Sequence, residues 1–142
     1  MAVFKFVIND GKKSYQVEKD QKDAPVLGKR MGETLDGGFL GLEGYELQIT
    51  GGSDKDGFPM RNDIEGQLRK RFLVIKGIGF SGKKKEKKGK YKIKGVRRRK
   101  TLRGNTIGDD IAQINCKVAK AGNIALDQLL GKKEEAAPAQ SE

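Results

Sequence analysis

Histidine and tryptophan are missing from this 142-residue sequence, and cysteine occurs once, as Cys116. Without histidine, the commonest general base near neutral pH and a frequent metal ligand are both gone. A single cysteine rules out an internal disulfide and points to a reducing compartment. No apolar run approaches the roughly 18 residues that a membrane span needs. The opening Met1-Ala2-Val3-Phe4-Lys5-Phe6 is too short and too alternating for a signal peptide. A soluble cytoplasmic protein with no membrane attachment is the expectation. Proline is scarce, at three residues, but glycine reaches twenty, about twice its usual share of roughly 7%. That much glycine implies many tight turns between short strands. The apolar content supports a modest core and not a large two-layer enzyme core.

Acid is missing too, but only in one place. Between Arg69 and Arg103 lie seventeen of the thirty lysines and arginines, and Glu86 is the one acid there. In the other 107 residues thirteen bases face eighteen acids, so the +11 of the whole chain comes from this strip. The molecule is a mildly acidic domain with an intensely basic insertion. Such a strip calls for a polyanion, and nucleic acids are the densest polyanions in a cell.

Along the chain, Val3–Ile8 and Ser14–Glu18 flank Asn9-Asp10-Gly11 and predict a hairpin. Asp23-Ala24-Pro25 to about Met31 is expected to open a short helix, with Pro25 in its first turn. Gly44–Thr50 alternates Tyr45, Leu47 and Ile49 with Glu46 and Gln48, the pattern of a half-buried strand. It runs into Gly51-Gly52 and a polar loop ending at Phe58-Pro59. Phe72-Leu73-Val74-Ile75 predicts a buried strand, and residues 77–95 predict no packed core. Ile114, Cys116 and Val118 alternate as a last strand, and Ala125–Leu130 reads as one or two helical turns. The fold class that follows is mainly β: a small glycine-rich β-barrel with one or two short helices. It divides into a β-rich part over 1–76, a basic arm over 77–104 inserted in the same domain, a returning strand and short helix over 105–131, and a disordered tail over 132–142.

Two motifs imitate catalytic or metal sites. Gly77-Ile78-Gly79-Phe80-Ser81-Gly82-Lys83 fits a GxGxxG spacing and most of a phosphate loop. The Mg²⁺-binding Ser/Thr position is instead Lys84, and the following Lys84–Gly89 has no apolar helical face. A flexible glycine hinge feeding a basic arm fits better, and a nucleotide-binding enzyme is the alternative. Gly52-Ser53-Asp54-Lys55-Asp56-Gly57 resembles half of a calcium loop, but Gly52 stands where the first ligand belongs and Pro59 interrupts it. A turn is the simpler reading, and nothing in the sequence asks for a metal, a cofactor or a small-molecule substrate.

The basic strip itself departs from a solvated surface, where signs mix. Glycines 77, 79, 82, 89, 95 and 104 and the rings of Phe80 and Tyr91 are interleaved with its cations. Glycine lets backbone approach phosphate, and a ring stacks on an unpaired base for about 1–3 kcal/mol. No helix here could lie in a major groove, so the pattern points to RNA held by its backbone and shape. The expected RNA-binding residues are Lys55, Phe58, Arg61, Arg69, Lys70, Arg71, Lys83, Lys84, Lys85, Lys87, Lys88, Lys90, Tyr91, Lys92, Lys94, Arg97, Arg98, Arg99, Lys100 and Arg103. Lys83–Lys94 is expected to stay disordered until RNA orders it. A free RNA chaperone or chromatin-like protein is a weaker third reading.

Two segments carry a more specific resemblance. Leu40-Gly41-Leu42-Glu43-Gly44-Tyr45-Glu46-Leu47-Gln48-Ile49-Thr50-Gly51-Gly52-Ser53-Asp54-Lys55-Asp56-Gly57-Phe58-Pro59-Met60 resembles a signature of protein six of the small ribosomal subunit, eukaryotic/archaeal type, a family unrelated to the bacterial protein of that number. Arg98-Arg99-Lys100-Thr101-Leu102-Arg103-Gly104 resembles its second signature, and the similarity spans roughly residues 1–120. The resemblance implies a structural, non-enzymatic component of the small subunit, in the cytoplasm, with ribosomal RNA and neighbouring ribosomal proteins as partners. It further implies that Gly51–Met60 supports an RNA- or protein-facing surface and that Arg97–Arg103 lies along RNA backbone. Animal and fungal members end in a long basic helix with phosphorylated serines. This chain ends in Glu134-Glu135-Ala136-Ala137-Pro138 and has only Ser141 near its end, so it resembles the short archaeal form and no kinase-signalling role carries over.

Overall fold

The computed structural model describes residues 2–134. Strict alternation makes the first strand, β1 (Val3–Asp10), whose Phe4, Phe6 and Ile8 are fully buried while Val3, Lys5 and Asn9 face outward. It turns through Gly11-Lys12 into β2 (Lys13–Asp20), so the hairpin is longer than expected, and the tight turn falls one residue later. β3 (Thr34–Asp36) pairs with β4 (Glu46–Asp54), and β9 (Ile111–Lys120) closes the sheet. β9 lies parallel to β1, with Phe6 opposite Ile114, and antiparallel to β4. The order β2-β1-β9-β4-β3 curls into a half-barrel, which meets the mainly β expectation. Each phenylalanine buried here contributes about 1.5–3 kcal/mol.

Three expectations for this sheet change. β4 does not stop at Gly51-Gly52 but continues through them to Asp54, bulging at Ile49/Gly51 and Ser53/Asp54. The reason is close approach: a Cβ on Gly52 would sit 2.5 Å from the Gln113 carbonyl oxygen of β9. The segment 24–31 is not a helix. A 3-10 turn at Gln21–Asp23 precedes it, and its backbone then pairs outward, Gly28 N–H to Ile107 O and Met31 N–H to Asn105 O. Burial of Ala24 and Val26 against the sheet outweighs the helical start signal. Finally, α1 (Leu126–Glu134) includes Lys132–Glu134, so the first three residues of the expected disordered tail are helical. The remaining tail, 135–142, lies outside the described residues. Leu126 anchors the helix in the core, and Asp127 accepts hydrogen bonds from Lys13 Nζ and Tyr15 Oη on β2.

A second unit emerges between β4 and β9. β5 (Arg69–Val74) and β8 (Arg98–Arg103) form an antiparallel ribbon, and β6 (Lys83–Glu86) and β7 (Gly89–Lys92) form a hairpin beyond it. The expected buried strand at Phe72–Ile75 is therefore half wrong. Only Val74 is buried, while Leu73 is 56% and Ile75 60% exposed, because a two-stranded ribbon protects one face alone. Residues 77–95 are not without a core either: Phe80 packs with Val74 and Leu102 in a small satellite cluster. Phe80 is accordingly not a ring available for stacking on a base. Lys83–Lys94, expected to be disordered, holds the β6–β7 hairpin.

Candidate nucleic-acid interface

The register of the hairpin sorts its charges. Lys83 lies opposite Lys92, Lys85 opposite Lys90, and Lys84 opposite Tyr91. Cross-strand partners share a face, and faces alternate along a strand. Lys83, Lys85, Lys90 and Lys92 therefore all stand on one face, while Lys84, Glu86 and Tyr91 take the other. Glu86, the one acid of the strip, pairs with Lys84 at 3.4 Å and is turned away from the four lysines. Directly opposed like charges, with Cβ atoms about 4.5–5.5 Å apart, destabilise a hairpin. A two-stranded hairpin is marginal in any case. Its lysine face is held at a cost that an anion would relieve.

The ribbon beneath is sorted in the same way. Lys70, Phe72 and Val74 on β5 share a face with Leu102, Lys100 and Arg98 on β8. Val74 and Leu102 are buried on Phe80, and Lys100 Nζ stands 6.0 Å above the Phe80 ring. Arg98 and Lys100 thereby open toward the hairpin. Between them lies a cleft of about 400 Å³ lined by Lys83, Lys85, Lys90, Arg98 and Lys100, with Gly79, Phe80 and Ser81 completing its wall. Five cations and no acid converge there. The opposite face of the ribbon carries Arg69, Arg71 and Arg99 with Leu73, and Arg97 is exposed just before β8.

The glycine segment that imitates a phosphate loop closes on itself. Gly77 and Phe80 exchange both backbone hydrogen bonds, at 2.9 and 3.2 Å, leaving Ile78-Gly79 at the tip of a tight turn. A Cβ on Gly79 would collide with the buried Leu102 side chain, so this glycine serves close packing at the turn tip, a role the hinge reading did not include. Strand β6 follows where a phosphate loop needs a helix N-terminus.

Of the expected RNA-binding residues, the structure gathers Lys83, Lys85, Lys90, Arg98 and Lys100 around the cleft. It leaves Lys70, Arg71, Lys87, Lys88, Lys92, Lys94, Arg97 and Arg99 exposed around that cleft and along the ribbon. Lys84 and Tyr91 are exposed on the far face of the hairpin.

Arg103 is a correction. Its side chain is 5% exposed and is consumed inside the fold, where Nη2 donates to Gln67 O and Nη1 lies 3.5 Å from Asp54 and 3.6 Å from Asp110. Arg69 is largely occupied as well, donating to Asp56 at 2.7 Å and resting on the Phe58 ring at 4.8 Å. The Asp56 hydrogen bond is the main cause that raises its pKa. Phe58 is thus capped on that face by Arg69 rather than open to a base. Arg61 pairs with Asp63 at 2.8 Å, and Lys55 with Asp110 at 3.2 Å, an interaction that holds the Asp110 carboxyl below the usual carboxylate range.

Asp54, which in the sequence reads only as part of a turn, organises this cluster. Its side chain is fully buried, and Oδ1 accepts from the Asp56 and Phe58 N–H groups at 2.9 and 3.0 Å. Oδ2 lies 2.8 Å from Arg69 Nη2 without hydrogen-bond geometry, so the attraction on that side is Coulombic. The cluster ties the end of β4 to β5 and β8, fixing the basic ribbon on the half-barrel. Among the described residues no three His, Cys, Asp or Glu side chains group as a metal site, and no helix is long and apolar enough to cross a membrane.

A family model described as Ribosomal protein S6e matches residues 4–131. The chain is 48% identical over 134 residues to the small ribosomal subunit protein eS6 of Methanosphaera stadtmanae, covering 94% of this chain and 96% of that one. It is 49% identical over 133 residues to the protein of the same name from Methanocaldococcus jannaschii (92% and 93% covered). To that from Methanothermobacter thermautotrophicus it is 47% identical over 133 residues (93% and 98%).

Proposed function

The chain belongs to the ribosomal protein S6e family, and on that premise we propose that it is a structural constituent of the small ribosomal subunit that holds ribosomal RNA backbone in the lysine-faced cleft. The half-barrel is the fixed body, and the Asp54 cluster sets the angle at which the ribbon leaves it. The hairpin supplies lysines from one side of the cleft, and Arg98 and Lys100 supply charge from the other. Lys70, Arg71, Lys87, Lys88, Lys92, Arg97 and Arg99 extend the positive surface to adjoining phosphates. Lys84 and Tyr91 face elsewhere and contribute less to backbone binding. The protein works in the cytoplasm as part of the ribosome, with neighbouring ribosomal proteins around it. It acts as an architectural part, not as an enzyme.

The observation that carries this reading is the segregation of four lysines on one hairpin face, opposed in pairs, three of which (Lys83, Lys85 and Lys90) line the cleft with Arg98 and Lys100. A lysine pair that repels itself in the free protein is relieved when a phosphate sits between its ammonium groups. Counterion release from the RNA adds a driving force that does not depend on sequence.

The test replaces Lys83, Lys85, Lys90 and Lys92 together with glutamine and measures affinity for small-subunit RNA against salt concentration. Each lost phosphate contact removes about 0.7–0.9 from the slope of log K against log salt, so four contacts remove roughly 3. Lys84→Gln, on the other face, should change the slope by less than about 1. An unchanged slope in the fourfold variant, with its fold intact, would sink the proposal.

A further inference from the structure

A second concavity lies beside the phosphate cleft and differs from it in chemistry. Ile75, Ile93 and Val96 line a groove of about 560 Å³ whose rim carries Lys76, Lys92 and Lys94. Ser81 is the one residue that lines both this groove and the cleft. Ile75 is 60% and Ile93 44% exposed, an unusual exposure for branched aliphatics that are grouped rather than scattered.

We propose that this groove docks a segment of a neighbouring protein in the small subunit, one that inserts an apolar side chain between Ile75 and Ile93 and flanks it with Asp or Glu. Resting on the reading that the chain works within that subunit, it adds a second partner of a different kind. Charge complementarity selects the occupant. The ammonium groups of Lys76 and Lys94 beside an aliphatic floor, with no acid on the rim, match carboxylates flanking an apolar anchor. RNA shares the negative charge, but an unpaired base is held by stacking on a ring or a guanidinium plane. This groove offers neither, since its apolar surface is isoleucine and valine and its cations are lysines. The phosphate-facing lysines Lys83, Lys85 and Lys90 line the neighbouring cleft instead, so RNA and the protein segment occupy adjacent positions that meet at Ser81.

The test places the photo-reactive residue p-benzoylphenylalanine at position 93 of the full chain, assembled into small subunits. Co-sedimentation with the particles is scored before irradiation, so that failure of the subunit reading is seen separately. A chain absent from the particles overturns that reading and this proposal with it. In particles that contain it, the expected result is a nuclease-resistant adduct to one protein, whose cross-linked peptide holds an apolar residue beside Asp or Glu. Adding Ile75→Asp should reduce that adduct at least tenfold while leaving co-sedimentation intact. A nuclease-sensitive adduct, a cross-linked peptide without acids, no adduct at all, or an adduct indifferent to Ile75→Asp would each overturn the proposal.

Discussion

Replacing Asp54 with alanine should destabilise the protein far more than any lysine substitution in the hairpin. The side chain has no exposed surface, and its carboxylate faces an Arg103 guanidinium that is itself 5% exposed. Removing one partner of such a pair leaves the other charge buried, which typically costs about 3–5 kcal/mol. Two backbone N–H groups, of Asp56 and Phe58, lose their acceptor at the same time. Against a total stability of about 5–15 kcal/mol for a domain, the variant is close to unfolding. Urea denaturation followed by circular dichroism reads this directly as a fall in midpoint at constant slope.

A double-mutant cycle with Arg103→Met isolates the pair. Arg103→Met alone strands Asp54 with Arg69 as its remaining partner, while the double variant removes both buried charges and fills some of the space. The two losses should therefore fall short of adding by about 2 kcal/mol. Losses that add to within about 0.5 kcal/mol would refute the clasp. So would an Arg103→Met variant of normal stability whose RNA salt slope drops by about 1, since that is the mark of a phosphate contact.

Two further outcomes follow from burial and charge. Cys116 is fully buried and its thiol pKa is pushed up to about 12, chiefly by desolvation, so it should resist thiol reagents at pH 8 until the sheet is unfolded by urea. Labelling of the native protein as fast as of the denatured one would contradict this. Asp110 and Asp127 titrate below the ordinary 3.8, held down first by hydrogen bonds from Lys55 and from Lys13 respectively. Their contribution is therefore complete above about pH 4 and lost as pH falls below it. Melting temperatures of the Asp110→Asn and Asp127→Asn variants should lie below the parent at pH 6 and converge with it near pH 2. A gap that persists at pH 2 would argue against a titration effect.

Where side chains alternate with period two, the sequence announces the strand. Phe4, Phe6 and Ile8, or Ile114 and Cys116, leave little choice of face. Gly51-Gly52 concealed the continuation of β4 because glycine reads as a break unless the facing carbonyl of Gln113 is known. Leu73 and Ile75 looked buried because an apolar run does not reveal how many strands will cover it. The site was legible as charge but not as geometry. Seventeen cations in one strip indicate a polyanion, yet nothing local distinguishes Arg103, which the fold spends on Asp54, from Arg98, which it presents. One signal was available: Lys83 with Lys85, and Lys90 with Lys92, are each spaced by two, and a tight turn between them puts all four on one face. The apolar groove could not be foreseen, since Ile75 and Ile93 are brought together only by the return of the hairpin onto the ribbon.

The position of β9 at the centre of the sheet has a consequence for synthesis. Its residues, Ile111–Lys120, are translated after every other strand, yet both β1 and β4 pair with it. Until they emerge, the β1–β2 and β3–β4 pairs have nothing to join them, and the apolar side chains of β1 lack the strand that completes their core. All seventeen cations of the strip have by then left the ribosome. The nascent chain thus acquires its appetite for polyanions before it acquires its fold, and must avoid capture by whatever RNA surrounds it during that interval.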